Sequence, residues 1–140
     1  MQILILYQSR KGYTRQTAKV IAEVAQKLGH SVTIKSVIEA QQSHIEQADL
    51  LFIGTWIQGF ILFGVKPAGA DLWVPALPTL TGKPIAIFCT YTFNPRQSLD
   101  KLGNLLRAKG ATIVSQQAFR NGHLGDGVEA FVKHTLSLHT

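Results

Sequence analysis

The chain has 140 residues, of which 46% are hydrophobic and 16% charged, and its net charge is +6. This composition excludes a disordered or fibrous protein, and we expect residues 1–140 to form a single globular domain. No apolar run reaches the roughly 20 residues that span a bilayer, which predicts no transmembrane segment. The single cysteine, Cys89, excludes an internal disulfide. Together with a first strand that begins directly after Met1, leaving no room for a signal peptide, it predicts a cytoplasmic protein.

Apolar runs and alternating β-branched residues predict five strands, in chain order at residues 3–6, 31–36, 50–54, 84–90 and 112–119. The period-two alternation of residues 31–36 is typical of a half-exposed edge strand. Helical spacing predicts helices at residues 14–28, 67–73 and 94–110, with Pro67 in the first position of the second of these. Capping boxes predict two more helix starts, one at Ser43 with Glu46 and one at Asp126 with Glu129. Strands that alternate with helices indicate a parallel sheet covered on both faces.

The loops at the carboxyl edge of such a sheet are the places where ligands bind. They are residues 8–14, 37–43, 55–66, 91–95 and 120–126. The first loop is polar and precedes a helix, where unpaired backbone N–H groups and the helix dipole attract anions. Arg10, Lys11 and Arg15 crowd this helix start, which favours a bound anion, although a solvated loop capped by Thr14 is the alternative.

Three aromatic residues lie near the same edge. Trp56 comes two residues after the strand at 50–54, and Tyr91 and Phe93 follow the strand at 84–90. Aromatic rings on neighbouring loops can sandwich a flat ring, although each residue taken singly is more typical of ordinary packing. With the anion-binding loop beside them, they favour a phosphorylated aromatic ligand.

These loops resemble those of short-chain flavodoxins, and the similarity runs over nearly the whole chain. Residues 9–14 resemble the loop that binds the phosphate of FMN, residues 54–56 the loop whose Trp stacks on the flavin, and residues 90–94 the loop that supplies the opposite aromatic. The resemblance implies a three-layer α/β sandwich with a five-stranded parallel sheet in the order 2-1-3-4-5. The residues that it assigns to FMN binding are Ser9, Arg10, Lys11, Gly12, Tyr13, Thr14, Thr55, Trp56, Ile57, Gln58, Gly59, Thr90, Tyr91, Thr92 and Phe93.

Three departures from the flavodoxin pattern are present. Lys11 stands where the family usually has Thr or Ser, and Ile57 is β-branched where a residue that allows a peptide flip is usual. The third is charge, since flavodoxins are typically acidic around the flavin. The charged residues near the loop edge here are Arg10, Lys11, Lys66, Arg96 and Arg120, opposed by Asp71 and Asp126. Cations favour an anionic reduced flavin, so the resemblance combined with this charge predicts a less negative second reduction step.

The implied function is that of an FMN-binding electron carrier, in preference to a self-sufficient oxidoreductase. The carrier would bind an acidic redox protein through its basic surface. Two alternatives stay open: an interaction module that has lost FMN, and an FMN-dependent oxidoreductase of a quinone-like substrate. The apolar loop at 57–65 suggests a homodimer contact or a hydrophobic partner, or else a lid that folds over the sheet. Lys and Arg are scattered over the chain, which argues against nucleic acid, and the five His residues show no metal-ligand spacing.

Overall fold

The computed structural model describes residues 1–10, 12–58, 66–67, 70–92, 95, 97–123 and 127–139. For residues 58, 66, 67, 71 and 72 it describes the backbone alone. The strands are β1 Gln2–Tyr7, β2 Ser31–Ser36, β3 Leu50–Gln58, β4 Lys66–Pro67, β5 Pro84–Tyr91 and β6 Thr112–Arg120. The helices are α1 Tyr13–Lys27, α2 Gln42–Gln47, α3 Ala70–Ala76, α4 Ser98–Arg107 and α5 Val128–Ser137.

Five of the strands form a parallel sheet in the order β2-β1-β3-β5-β6. Numbered along the chain without the short β4, this is the predicted order 2-1-3-4-5. The edge strand β2 is half-exposed, as its alternating pattern predicts. The sheet order is therefore confirmed, and it places the ends of β1, β3 and β5 side by side.

Helices cover both faces of the sheet because the central strands are apolar on both sides. Alternate residues of β1 separate, with Ile3 and Ile5 in a core cluster beneath α1 and α5, and Leu4 and Leu6 in a second cluster beneath α2, α3 and α4. In the first cluster the ring of Phe131 packs edge-on against Phe52, with centroids 5.6 Å apart. None of the helices in the described part of the chain is long and apolar enough to cross a membrane.

Two predicted boundaries in the second loop region are wrong. Residues 55–58, predicted as loop, continue strand β3, and Pro67, predicted to open a helix, lies in β4. The two segments pair in antiparallel fashion, Ile57 with Pro67 and Gln58 with Lys66. Thr55 and Trp56 still pair in parallel with β5, and the antiparallel pairing with β4 extends β3 by two more residues. The helix of this region begins later, at Ala70.

The predicted starts of three other helices also shift. Helix α2 begins at Gln42, so Ser43 lies inside it, and the backbone N–H of Gln41 donates to Nδ1 of His44 at 3.1 Å. Helix α4 begins at Ser98, some residues after the predicted start at 94. Helix α5 has Gly127 as its N-cap, with no side-chain cap, while Glu129 pairs with Lys133.

The residue Gly54 in β3 has no room for a side chain. A methyl group added there would overlap the ring of Phe88, which is fully buried in the neighbouring strand β5. Because Phe88 is enclosed by the core, it cannot move aside without disturbing the packing around it.

We expect Gly54→Ala to lower the free energy of unfolding by about 2 kcal/mol, in the range for overpacked cores. The matched control is Gly103→Ala in α4, where the nearest atom to a new methyl group is the end of the Arg107 side chain, 3.3 Å away. This control should be neutral or stabilising by up to ~1 kcal/mol, because alanine favours helix. Urea denaturation measures both, and equal stability of the two variants would contradict the packing argument.

Candidate functional site

The carboxyl ends of the central strands meet at one edge, as the parallel register requires. Tyr7 of β1 is level with Gly54 of β3, and Trp56 of β3 is level with Thr90 of β5. The predicted first, second and third loops therefore leave the sheet at the same place.

The first loop ends in a helix start that lacks a side-chain cap. Gly12 is the N-cap of α1 with a φ of 91°, a left-handed conformation that favours glycine, and its N–H donates to Oγ of Ser9 at 3.0 Å. Among the described residues, no side chain caps the N–H groups of the first turn of α1, and this turn holds no acidic residue. Arg10 and Arg15 are instead exposed on either side of it. Uncapped N–H groups and two cations at a helix start attract an anion.

The first residue of this loop, Gln8, connects it to the second loop region. Its N–H donates to the carbonyl of Gly54 at 2.9 Å, and its side-chain Oε1 accepts from the buried hydroxyl of Thr55 at 3.1 Å. Gln8 was not among the predicted site residues. Its position directly after an apolar strand was the signal available in the sequence.

A buried hydrogen bond joins the first loop to the third. The hydroxyl groups of Thr14 and Thr90 lie 2.8 Å apart, and the side chains are only 1% and 2% exposed. Both residues were predicted to bind the cofactor, and the structure pairs their hydroxyls with each other. Thr14 thus fixes the start of α1 to β5.

The third loop is held by Asn121, which follows β6. Its N–H donates to the carbonyl of Tyr91 at 2.7 Å, and its Nδ2 donates to the hydroxyl of Thr92 at 2.8 Å. Its other side-chain atom, Oδ1, is buried and has no partner among the described residues. The sequence places Asn121 in the predicted loop 120–126, but nothing in its neighbourhood distinguished it from Arg120 or His123.

Two of the predicted aromatic residues, Trp56 and Tyr91, are half-buried at this edge. The guanidinium carbon of Arg10 lies over the Trp56 ring, 5.5 Å from its centroid, in a cation–π contact. Tyr13, at the start of α1, is 37% exposed.

The described site therefore unites most of the predicted set. The residues that lie together at this edge are Ser9, Arg10, Gly12, Tyr13, Thr14, Thr55, Trp56, Ile57, Thr90, Tyr91 and Thr92. The backbone of Gln58 lies in β3, and the predictions for Lys11, Gly59, Phe93 and the loop at 59–65 fall outside the described residues. Of the charged edge residues, Arg96 and Asp126 fall outside them as well.

The only cysteine of the chain contributes no nucleophile to this edge. Cys89 is 1% exposed in β5, and burial raises the pKa of its thiol to about 12. The thiol therefore stays protonated at neutral pH, and its role is that of a small apolar side chain.

Comparison with known proteins identifies the family. A family model described as a flavodoxin domain matches residues 4–118. The chain belongs to the flavodoxin family. Membership in this family implies flavin binding, generally of FMN. No significant match was found among curated protein sequences.

Solved flavodoxin structures share the fold at low sequence identity. Oxidised flavodoxin 2 of Bacillus cereus has a TM-score of 0.78 and 18% identity, with 99% of each chain covered. A flavodoxin of Streptococcus pneumoniae gives 0.76 and 16%, again over 99% of both chains. A short-chain flavodoxin associated with a bacterial microcompartment gives 0.79 and 13%, over 100% of this chain and 99% of the other.

The edge of this flavodoxin-family chain is chemically suited to FMN. The uncapped start of α1 and the hydroxyl of Ser9 are donors for a phosphate, and Trp56 offers an aromatic surface. The buried Oδ1 of Asn121, which has no partner among the described residues, is a further hydrogen-bond acceptor next to the third loop.

We expect Thr14→Val and Thr90→Val each to destabilise the protein by about 1–3 kcal/mol, because either change leaves a buried hydroxyl unpaired. The double variant should cost less than the sum, since it removes both hydroxyl groups. Urea denaturation of the four proteins measures the coupling. The exposed pair Thr79 and Thr81, whose hydroxyls lie 2.9 Å apart, is the control, and its coupling should be close to zero. Additive effects at Thr14 and Thr90 would show that their contact is not a stabilising hydrogen bond.

Proposed function

We propose that this chain, acting as one flavodoxin-like domain, binds FMN at the carboxyl edge of the sheet and carries electrons to or from an acidic protein. The observation that carries the proposal is the start of α1, where Gly12 leaves the first turn without a cap among exposed cations. An anion is the group that such a helix start lacks. Trp56 at the same edge offers a surface on which an aromatic ring can stack. FMN contains both an anionic phosphate and an aromatic ring.

In this proposal Ser9, Gly12 and the first turn of α1 bind the phosphate, and Trp56 and Tyr91 flank the ring. Bound FMN supplies the redox chemistry. The protein contributes binding, orientation and electrostatics. The contacts that Gln8, Thr14 and Asn121 make between the loops hold these groups in place before a ligand arrives, which lowers the entropy lost on binding.

The charge at this edge supports an acidic partner. Arg10, Arg15 and Arg120 are exposed there, and the first turn of α1, which holds Arg15, has no acidic residue. A positive surface raises the rate of encounter with an acidic protein. The same cations stabilise an anionic reduced cofactor, which supports the prediction of a less negative second reduction step.

FMN binding is tested by titrating the protein into FMN and following the quenching of flavin fluorescence. Gly12→Ala should weaken binding about tenfold, since the left-handed backbone becomes strained by roughly 1–2 kcal/mol and the loop shifts. Gly29→Ala is the matched control, because Gly29 has a φ of 94° and equally open space around it but lies at the other end of α1. Both variants should lose similar stability, and only Gly12→Ala should lose affinity. A wild-type protein that does not quench FMN would refute the proposed function.

The sign of the charge at the edge is tested with small oxidants of opposite charge. The FMN-loaded, reduced protein is mixed in a stopped-flow instrument with ferricyanide or with hexaammineruthenium(III). Raising the salt from about 0.01 M to about 0.5 M should slow oxidation by the anion around tenfold and accelerate oxidation by the cation. Replacing Arg15 and Arg120 with Gln should flatten both dependences. The reverse salt dependence would contradict a basic electron-exchange surface.

An interaction module without FMN is the second candidate, and one observation favours it. The backbone of Ile57 pairs with Pro67 in the β3–β4 ladder, so the peptide after Trp56 is held in a strand. A peptide fixed in this way is less free to adjust to changes in a bound flavin. Lack of FMN quenching together with native folding would favour this candidate.

A further inference from the structure

The Arg10 side chain joins two parts of the site that bind different halves of the proposed ligand. Arg10 belongs to the loop before α1, whereas Trp56 lies near the end of β3. The guanidinium carbon of Arg10 is 5.5 Å from the centroid of the Trp56 ring. Arg10 is exposed and Trp56 half-buried, so the guanidinium covers aromatic surface that is otherwise available to a ligand.

Two groups compete for this guanidinium once a phosphorylated ligand is present. A cation–π contact at an exposed site is weak, whereas hydrogen bonds between a guanidinium and a phosphate are charge-assisted and often bidentate. A phosphate at Ser9 and Gly12 would lie beside Arg10 in the same loop. The phosphate is therefore the stronger partner and draws Arg10 away from Trp56.

From this competition we infer that Arg10 is a specificity-determining residue, which covers Trp56 until a phosphate releases it. FMN carries the phosphate that compensates for the lost cation–π contact. Riboflavin has the same ring but no phosphate, and must displace Arg10 without compensation. Arg10 thus increases the ratio of the affinity for FMN to the affinity for riboflavin. The inference deepens the proposed function and rests on it.

The neighbouring Arg15 provides a matched control. It is an exposed cation in the first turn of α1, close to the same helix start. Among the described residues, the cation–π contact with Trp56 is made by Arg10 and not by Arg15. Arg15→Ala and Arg10→Ala remove the same charge, but only the second removes the cover from Trp56. Both residues are exposed, so both variants are expected to fold.

The first measurement needs no flavin. Trp73→Phe leaves Trp56 as the only tryptophan of the chain, and acrylamide quenching then reports how accessible its ring is. In this background Arg10→Ala should increase quenching of Trp56, while Arg15→Ala should leave it unchanged. Circular dichroism checks that all three variants fold. Equal quenching with and without Arg10 would overturn the inference.

The second measurement compares FMN and riboflavin affinities. Arg10→Ala should strengthen riboflavin binding about two- to fivefold, the equivalent of an exposed cation–π contact, and weaken FMN binding. Arg15→Ala should weaken FMN binding without strengthening riboflavin binding. If the wild-type protein binds neither flavin, the proposed function fails. If it binds FMN and both variants change the FMN-to-riboflavin ratio equally, only the role of Arg10 is overturned.

Discussion

The close approach of Phe88 to the backbone of Gly54 is the constraint on which the site depends. The ring fills the space where a side chain of β3 would stand, so the strands β3 and β5 are locked in one relative position by packing on that face. Trp56 follows Gly54 by two residues and Tyr91 follows Phe88 by three, and both lie at the edge where the site is. A core contact therefore fixes the spacing between the ends of β3 and β5, from which the second and third loops leave the sheet.

Hydrogen bonds then transmit this fixed spacing to the loops. Gln8 ties the first loop to β3, Thr14 ties the start of α1 to β5, and Asn121 ties the third loop to the end of β6. Each bond joins residues that are far apart in sequence, and each uses a backbone or side-chain group that would otherwise lie unpaired near the edge. These polar contacts fix the positions of the loops relative to the sheet, as is typical of preorganised binding sites.

The sequence predicts the sheet well because its signals are local. The apolar run at 50–54 and the alternation at 31–36 each follow from burial within one strand, and the strand order follows from the flavodoxin resemblance. Contacts between distant segments leave no such signal. Pro67 suggests a helix start by itself and becomes a strand residue only because β3 lies beside it. Likewise, Asn121 looks like an ordinary loop residue until the fold places it against Tyr91.

The burial of Cys89 has a practical consequence for labelling. Since it is the only thiol in the chain and is shielded within β5, maleimides and spin labels have no exposed native target. A cysteine introduced at Ile38, whose side chain is 87% exposed beside the carboxyl edge, would therefore react alone. Distances from that single label to a flavin or to a docked partner can be measured without first removing a native cysteine.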